Sequence, residues 1–339
     1  MNPKYFDAEE HEAFLKSDIE QWEKHLHLGA VKVIPPDEAK NIPKHKILPI
    51  ASRFVRTDKN KENKKESLKA SSRLVIPGHL QQGLPQEEGG ERTDAPTVAQ
   101  LGLHLGLSLC ASFRWTPSTF DVSSAFLRGD EMDEELYFKP PRDGLPGVPE
   151  GALILALKGV FGLRIAPRLW WKKAEKTIND AGFQALSSLP GFFVIRENKR
   201  LAGIILLHVD DGFHAGHGRV YEEAMKKIMD AFDVPEDKRQ AGCFNFLGRK
   251  IELLKDDTIR VSQKTYIDEI KPILVPKARR STSEATLTPE EKSNLMSLVG
   301  QLAWPARESL PHIAYDVRDR KSTRLNSSHS QQSRMPSSA

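Results

Sequence analysis

Two sites at which an apolar, strand-like run meets carboxylate hold the residues of this 339-residue chain best suited to chemistry. The first is Thr119-Phe120-Asp121-Val122-Ser123, and the second is Ile204-Ile205-Leu206-Leu207-His208-Val209-Asp210-Asp211-Gly212. Taken singly, Asp-Asp-Gly after a strand reads as a hairpin turn, since Asp and Gly supply turn geometry. Taken together, carboxylates on adjacent strand ends can hold a pair of divalent cations, and hard oxygen donors favour Mg²⁺ where substrate phosphates complete the octahedron. Other chemistries have thinner support. The chain has 11 His, but His208, His214 and His217 lack the cysteine partners or metalloprotease spacing of a zinc site. No Walker-type phosphate loop or dinucleotide fingerprint occurs. Cys110 and Cys243, without a neighbouring His, read as small hydrophobes rather than nucleophiles.

The elements that must position these carboxylates mix helix and strand without a βαβ repeat, so an α+β fold is expected rather than a doubly wound sheet. Phe14, Leu15 and Ile19 give one face of a helix running from Glu9 to about Trp22. Residues 47–55 and 74–76 read as the strands of a hairpin with a basic tip. A Gly/Pro/Glu loop at 83–90 precedes a leucine-rich stretch at 97–112. The leucines alternate as in a strand, but the length and the absence of proline after Pro96 favour a buried helix. Residues 140–149 form a turn-rich loop. Pro167, then Trp170, Ala174 and Ile178 at helical spacing, and Gly182 predict a helix over 166–181. Another begins near Tyr221 with Met225, Ile228, Met229 and Phe232 on one face. Thr288-Pro289 with Glu291 is a capping box for a helix facing inward through Leu295, Leu298, Val299 and Leu302.

Charge is unevenly distributed. Fifty Lys and Arg against 46 Asp and Glu give a net +4, too little to name a partner by itself. Residues 53–73, however, hold eight basic and three acidic side chains, while the rest of the body is slightly acidic. Residues 319–339 carry seven serines and almost no large apolar side chains, so a disordered tail is expected there. Residues 319–329 also look like a translated sequencing adapter, which would place the natural C-terminus elsewhere. The longest apolar runs, 201–207 and 151–157, fall short of the roughly 20 residues of a membrane helix. No membrane partner or secretory signal is expected, and two cysteines suit an intracellular setting.

Ordered blocks along the chain resemble the reverse transcriptase of copia-type retrotransposons. They are Asp121-Val-Ser-Ser-Ala-Phe-Leu-Arg-Gly129, Leu136-Tyr-Phe-Lys-Pro-Pro141, Gly159-Val-Phe-Gly-Leu-Arg-Ile-Ala-Pro-Arg-Leu-Trp170, His208-Val-Asp-Asp211, Phe246-Leu-Gly-Arg-Lys-Ile251 and Val261-Ser-Gln-Lys-Thr-Tyr266. Residues 69–78 and 94–98 look like the upstream blocks, and 299–302 and 310–314 like the downstream ones. The resemblance covers about residues 9–317, and it is the conjunction of the blocks in order that is specific.

The resemblance implies a right-hand polymerase fold of fingers, ferredoxin-like palm and thumb. Residues 1–50 would form an N-terminal extension and the start of the fingers, 51–118 the fingers, and 119–139 the palm segment with the first Asp. The fingers–palm junction would span 140–185, the palm with the Asp-Asp motif and primer grip 186–255, a thumb-like connection 256–318, and the tail 319–339. Asp121, Asp210 and Asp211 would be catalytic and would ligate two Mg²⁺ ions, or Mn²⁺, with the Val122 carbonyl. Lys69, Arg73, Phe126, Phe161, Gly162 and Arg164 would bind the nucleotide, with Phe126 excluding a 2′-hydroxyl. Phe246, Leu247 and Gly248 would grip the primer end.

The implied activity is RNA-directed DNA polymerisation by two-metal phosphoryl transfer, with an RNA or DNA template, a DNA or RNA primer and dNTPs as partners. Its setting would be a cytoplasmic particle, the nucleus or both. Integrase and RNase H regions, expected in a full-length polyprotein, do not occur in this chain. Three positions depart from the family pattern: His208 where Tyr is usual, Arg164 where Lys is common, and Ile165 where Gln is common. They bear on fidelity and turnover more than on metal binding. A decayed copy that binds nucleic acid without polymerising is the competing expectation. A nucleotide cyclase fits poorly, because Gly89-Gly90 is followed by Glu91-Arg92 with no strand run before it.

Overall fold

The computed structural model describes residues 6–60, 67–81, 93–281 and 286–323. The 83–90 loop, the lysines at 61, 64 and 65 of the basic tip, and the tail beyond Thr323 lie outside the described residues. The chain forms two compact units, Met1–Ala241 and Gly242–Ala339. Their boundary falls inside the 186–255 segment assigned to the palm.

The first unit is built on a six-stranded antiparallel sheet. Its strands, in spatial order, are Arg239–Ala241, Ser118–Asp121, Asp211–Gly216, Arg200–His208, Phe192–Glu197 and Gln184–Ala185. The helices Ala166–Asp180 and Arg219–Ala231 pack Trp170, Trp171, Ala174, Ile178, Met225 and Ile228 into one core with Phe120, Phe193, Ile205 and Leu207. On the other face runs the helix Gln100–Phe113, whose Gly106 lies so close to Leu206 that a Cβ there would stand 3.2 Å from the leucine methyls. Cover on both faces explains why 202–207 is an unbroken apolar run, all of it buried. The same covering decides for helix at 100–113. Leu103 is fully buried, whereas Leu101 is 68% exposed, a helical rather than an alternating pattern.

Elsewhere in this unit, Val31–Ile34, Leu153–Lys158 and Glu131–Phe138 form a three-stranded sheet over a second core containing Trp22, Leu74, Phe138 and Ile154. The basic hairpin pairs Arg53–Asp58 with Ala70–Val75 in the register Arg53↔Val75. The first strand therefore begins at Arg53 rather than at residue 47, and both run further toward the tip than the sequence suggests. The reason is support from the first helix, Ala8–His27, which lends Ser17 Oγ as acceptor to the Ser72 amide and pairs Asp18 with the Arg56 guanidinium. That helix opens on a capping box made by Asp7 and Glu10 and buries Phe14 and Trp22. Leu15, expected on its inner face, is instead 55% exposed, because the buried stripe passes through Asp18, Gln21 and His25.

In the second unit, Cys243–Phe246, Arg249–Leu253 and Ile259–Ser262 form an antiparallel meander. The helix Pro289–Glu308 begins on the expected capping box, with Thr288 and Glu291 each accepting from the other's amide. Val299, Ala306 and Val317 form a small core there with Leu295, Leu302 and Ile313. The last helix, Ala314–Thr323, takes in the first five residues of the stretch where disorder was expected. Once a helix is nucleated, extending it through Arg and Lys costs little. Among the described residues no helix is long and apolar enough to cross a membrane.

Candidate active site

Asp210 sits in a two-residue hairpin turn. His208 and Asp211 are register partners, which leaves Val209 and Asp210 as the turn itself. Val209 has φ +58°, a conformation that a β-branched residue adopts at a cost of about 1–3 kcal/mol and that hairpins ordinarily give to Gly. The surrounding structure holds it there. The Trp170 indole Nε1 donates to the Val209 carbonyl at 2.6 Å from the helix on the sheet face. The turn reading of this segment therefore holds, with Val209 and Asp210 as its two residues, and the strain at Val209 is held in place by the Trp170 contact.

The sheet then brings the first cluster alongside. Asp211 pairs in register with Asp121, Gly212 with Phe120, and the Val122 amide donates to the Asp210 carbonyl at 2.9 Å. Asp121 and the sequence-distant pair Asp210-Asp211 therefore share one end of two adjacent strands. Their electrostatics follow from that crowding. Burial, followed by the charges of Asp210 and Asp121, pushes the Asp211 carboxyl up to about 6. Asp210 is raised too, by burial and then by Asp121, against the pull of its own backbone hydrogen bond.

A basic group answers this charge. Lys238 Nζ donates to Asp121 Oδ2 at 2.6 Å, and that hydrogen bond raises the lysine's pKa. Lys59 is lowered, first by burial and then by the nearby charges of Lys238, Lys69 and Arg73. Lys238 thus contacts the carboxylates directly, while Lys59 and Arg73 lie within electrostatic reach of them. Lys59 was only one of many in the basic run, and Lys238, in a Pro-Glu-Asp-Lys turn, carries no local signal. It is the sheet that brings Lys238 to Asp121.

Among the described residues, no three His, Cys, Asp or Glu side chains converge as a metal cage. The donor chemistry nevertheless fits a hard cation. The charge of Asp121 helps to raise both Asp210 and Asp211, and an ammonium stands against Asp121 where a metal ion could take its place.

Three of the expected nucleotide residues come together. The Arg73 guanidinium lies 5.8 Å from the centre of the Phe161 ring, and Phe161 meets Phe126 edge-on at 5.3 Å. The Phe161 carbonyl accepts from the Ile76 amide at 2.9 Å, which pins this loop to the end of the basic hairpin. Gly162, at φ +100°, is required by the approach: a Cβ there would lie 2.1 Å from the Ile76 carbonyl oxygen. Lys69 and Arg73 are exposed on the hairpin, and Arg164 is exposed on the loop after Gly162. Phe246, Leu247 and Gly248 belong to the second unit, where Leu247 and Gly248 form a two-residue turn with φ of +50° and +71° between the partners Phe246 and Arg249.

An α+β chain with a carboxylate cluster at one sheet end, facing basic side chains, is suited to binding phosphate-bearing substrates. Residues 39–290 match the family model described as reverse transcriptase (RNA-dependent DNA polymerase), and the chain belongs to that family. It is 28% identical over 270 residues to the retrovirus-related Pol polyprotein from transposon TNT 1-94 of Nicotiana tabacum. That match takes in 73% of this chain and 19% of the relative. The corresponding protein from transposon RE2 of Arabidopsis thaliana is 25% identical over 260 residues, or 73% of this chain and 17% of the relative. The chain thus spans about a fifth of the length of these relatives. Among solved structures, a foamy viral protease-reverse transcriptase in complex with dsDNA overlaps with a TM-score of 0.43 at 15% identity, over 90% of this chain and 51% of that one.

Proposed function

We propose that this chain is the RNA-directed DNA polymerase domain of a retrotransposon Pol polyprotein, extending a primer 3′-hydroxyl with dNTPs. The observation that carries the reading is the pairing of Asp121 with Asp211 beside the Val122–Asp210 backbone bond, which brings three acidic residues to one end of two adjacent strands, with Arg73 of the basic hairpin within electrostatic reach of Asp210. Asp121, Asp210 and Asp211, with the Val122 carbonyl, would hold the divalent ions. Bound there, Mg²⁺ would lower the pKa of the primer hydroxyl and offset charge on the triphosphate.

The protein's own part is positioning. Trp170 fixes the strained turn that presents Asp210, and Lys59, Lys69 and Arg73 offer ammonium and guanidinium groups to phosphates. Phe126, braced by Phe161, forms a flat wall suited to excluding a 2′-hydroxyl. On this reading the hairpin and 51–118 act as fingers, the six-stranded sheet as palm, and 256–318 as the thumb-like connection. The test is primer extension on an RNA template with the full chain, with and without Mg²⁺. Mg²⁺-dependent incorporation of dNTPs supports the reading.

One observation favours a second reading, in which the chain binds nucleic acid without polymerising: Lys238 already neutralises Asp121. Salt-sensitive binding of primer and template with no incorporation at any Mg²⁺ concentration would decide for it.

A further inference from the structure

Within the second unit, the turn Leu247–Gly248 is unusual. Two-residue hairpins with both turn residues at positive φ ordinarily take Asn, Asp or Gly, yet the first position here is Leu247, at φ +50°. Such a turn persists only where its surroundings hold it. Arg249, the residue that follows, is buried with 7% of its side chain exposed. It donates from Nη1 to the Leu247 carbonyl at 2.8 Å and from Nε to Glu308 Oε2 at 3.0 Å, with Nη2 at 2.6 Å from the same carboxylate oxygen. Glu308 is the last residue of the helix Pro289–Glu308, and its side chain is 1% exposed; Arg307 also approaches it, at 3.2 Å.

The Arg249 guanidinium also stands 5.8 Å from the centre of the Trp304 ring, one turn back on that helix. Gly248 completes the contact. A Cβ on it would lie 2.6 Å from the Trp304 ring. One planar fork therefore joins the strained turn to the end of a helix about 60 residues further along the chain, in a geometry that a lysine's single point charge cannot reproduce.

We infer that Arg249, through Glu308, is a positioning residue that sets the Leu247–Gly248 turn and thereby the placement of the primer 3′ end. The inference rests on reading Phe246–Gly248 as the turn that holds the primer end. The buried pair does not touch the reacting atoms. It fixes the backbone that would.

The test is photocrosslinking with the full chain, using a primer–RNA template duplex that carries 4-thiothymidine at the primer 3′ end. Crosslinks are mapped by mass spectrometry and normalised to bound primer, so the readout needs no turnover. Wild type is expected to crosslink within 246–248. Arg249→Met and Glu308→Gln should each disperse that crosslink about tenfold while the duplex dissociation constant changes by no more than about twofold, since phosphate contacts spread over the chain set overall affinity. Arg249→Lys should recover part of it.

The double variant Arg249→Met with Glu308→Leu removes both buried charges at once, so it keeps the fold while leaving the Leu247 carbonyl without its donor. It too should disperse the crosslink. A purely structural role predicts lost binding in the single variants and a wild-type crosslink in the double variant, which would overturn the inference. No crosslink to 246–248 in wild type would instead refute the primer-end reading. A wild-type crosslink unchanged in Arg249→Met would refute the positioning role alone.

Discussion

Gly212 couples the packing of the sheet to the placement of both acidic clusters, and Gly212→Ala tests that coupling. Its register partner is Phe120, which is fully buried in the core and immediately precedes Asp121. A Cβ at position 212 would lie 2.1 Å from Phe120 Cζ and 2.3 Å from Cε1, against the 3.4 Å or more of ordinary contact. The ring must move by more than an ångström in a core that also contains Val122 and Trp170. Overpacking of this kind costs about 1–3 kcal/mol. The larger effect is on chemistry. If Asp121 and Asp211 hold the metal ions as proposed, a shift of about 1 Å at either should cost on the order of a hundredfold in rate. Urea unfolding followed by tryptophan fluorescence, with single-turnover extension normalised to folded protein, should report both losses. Phe120→Leu in the Gly212→Ala background shortens the ring's reach and should recover part of each, a coupling readable as a double-mutant cycle. An unchanged urea midpoint and rate in Gly212→Ala would refute the reasoning, as would strictly additive effects in the double variant.

Other outcomes follow from the same geometry. Lys238→Met removes a cation that competes for Asp121 in a partly exposed pair, so Mg²⁺ binding measured by calorimetry should tighten by up to about fivefold, corresponding to the roughly 1 kcal/mol upper range for such pairs; weaker binding would show that Lys238 supports the site instead. The Asp211 carboxyl lies at about 6 in the folded chain, above its unfolded value. Its contribution to metal-free stability is therefore fully present below the unfolded pKa near 4 and is lost as pH rises through about 6. Chemical denaturation in EDTA across that window should show the loss, and Asp211→Asn should flatten it. Phe126→Ala should raise ribonucleotide incorporation relative to deoxynucleotide, measured by competition at one template position; unchanged selectivity would remove Phe126 from the sugar-discriminating role.

Much of the fold was legible because its signals are local. The capping box at Thr288, the proline and tryptophan spacing of 166–180 and the unbroken apolar strand at 202–207 all reappear as expected. The acidic clusters were legible for the same reason, each being a run-on from a strand. What could not be read was whatever depends on tertiary neighbours. Lys238 reaches Asp121 because the Arg239–Ala241 strand pairs with Ser118–Asp121, a partnership nothing in the Pro235–Lys238 turn announces. The basic hairpin runs longer than its apolar pattern because a helix supports it, and Leu15 faces solvent because polar Asp18 and His25 take its place inside. The positive φ of Val209 contradicts its own propensity and is sustained by Trp170 from the sheet-covering helix.

The central claim is that Asp210 is part of a working polymerase site, and single-nucleotide extension of a primer on an RNA template tests it most directly. Wild type and Asp210→Asn should bind the duplex equally, because the substitution keeps the turn and its backbone bond to Val122. Wild type should incorporate the nucleotide in Mg²⁺, while Asp210→Asn should fall by at least about three orders of magnitude, as expected when a developing charge loses its stabilising group. Equal incorporation by the two proteins would contradict the account.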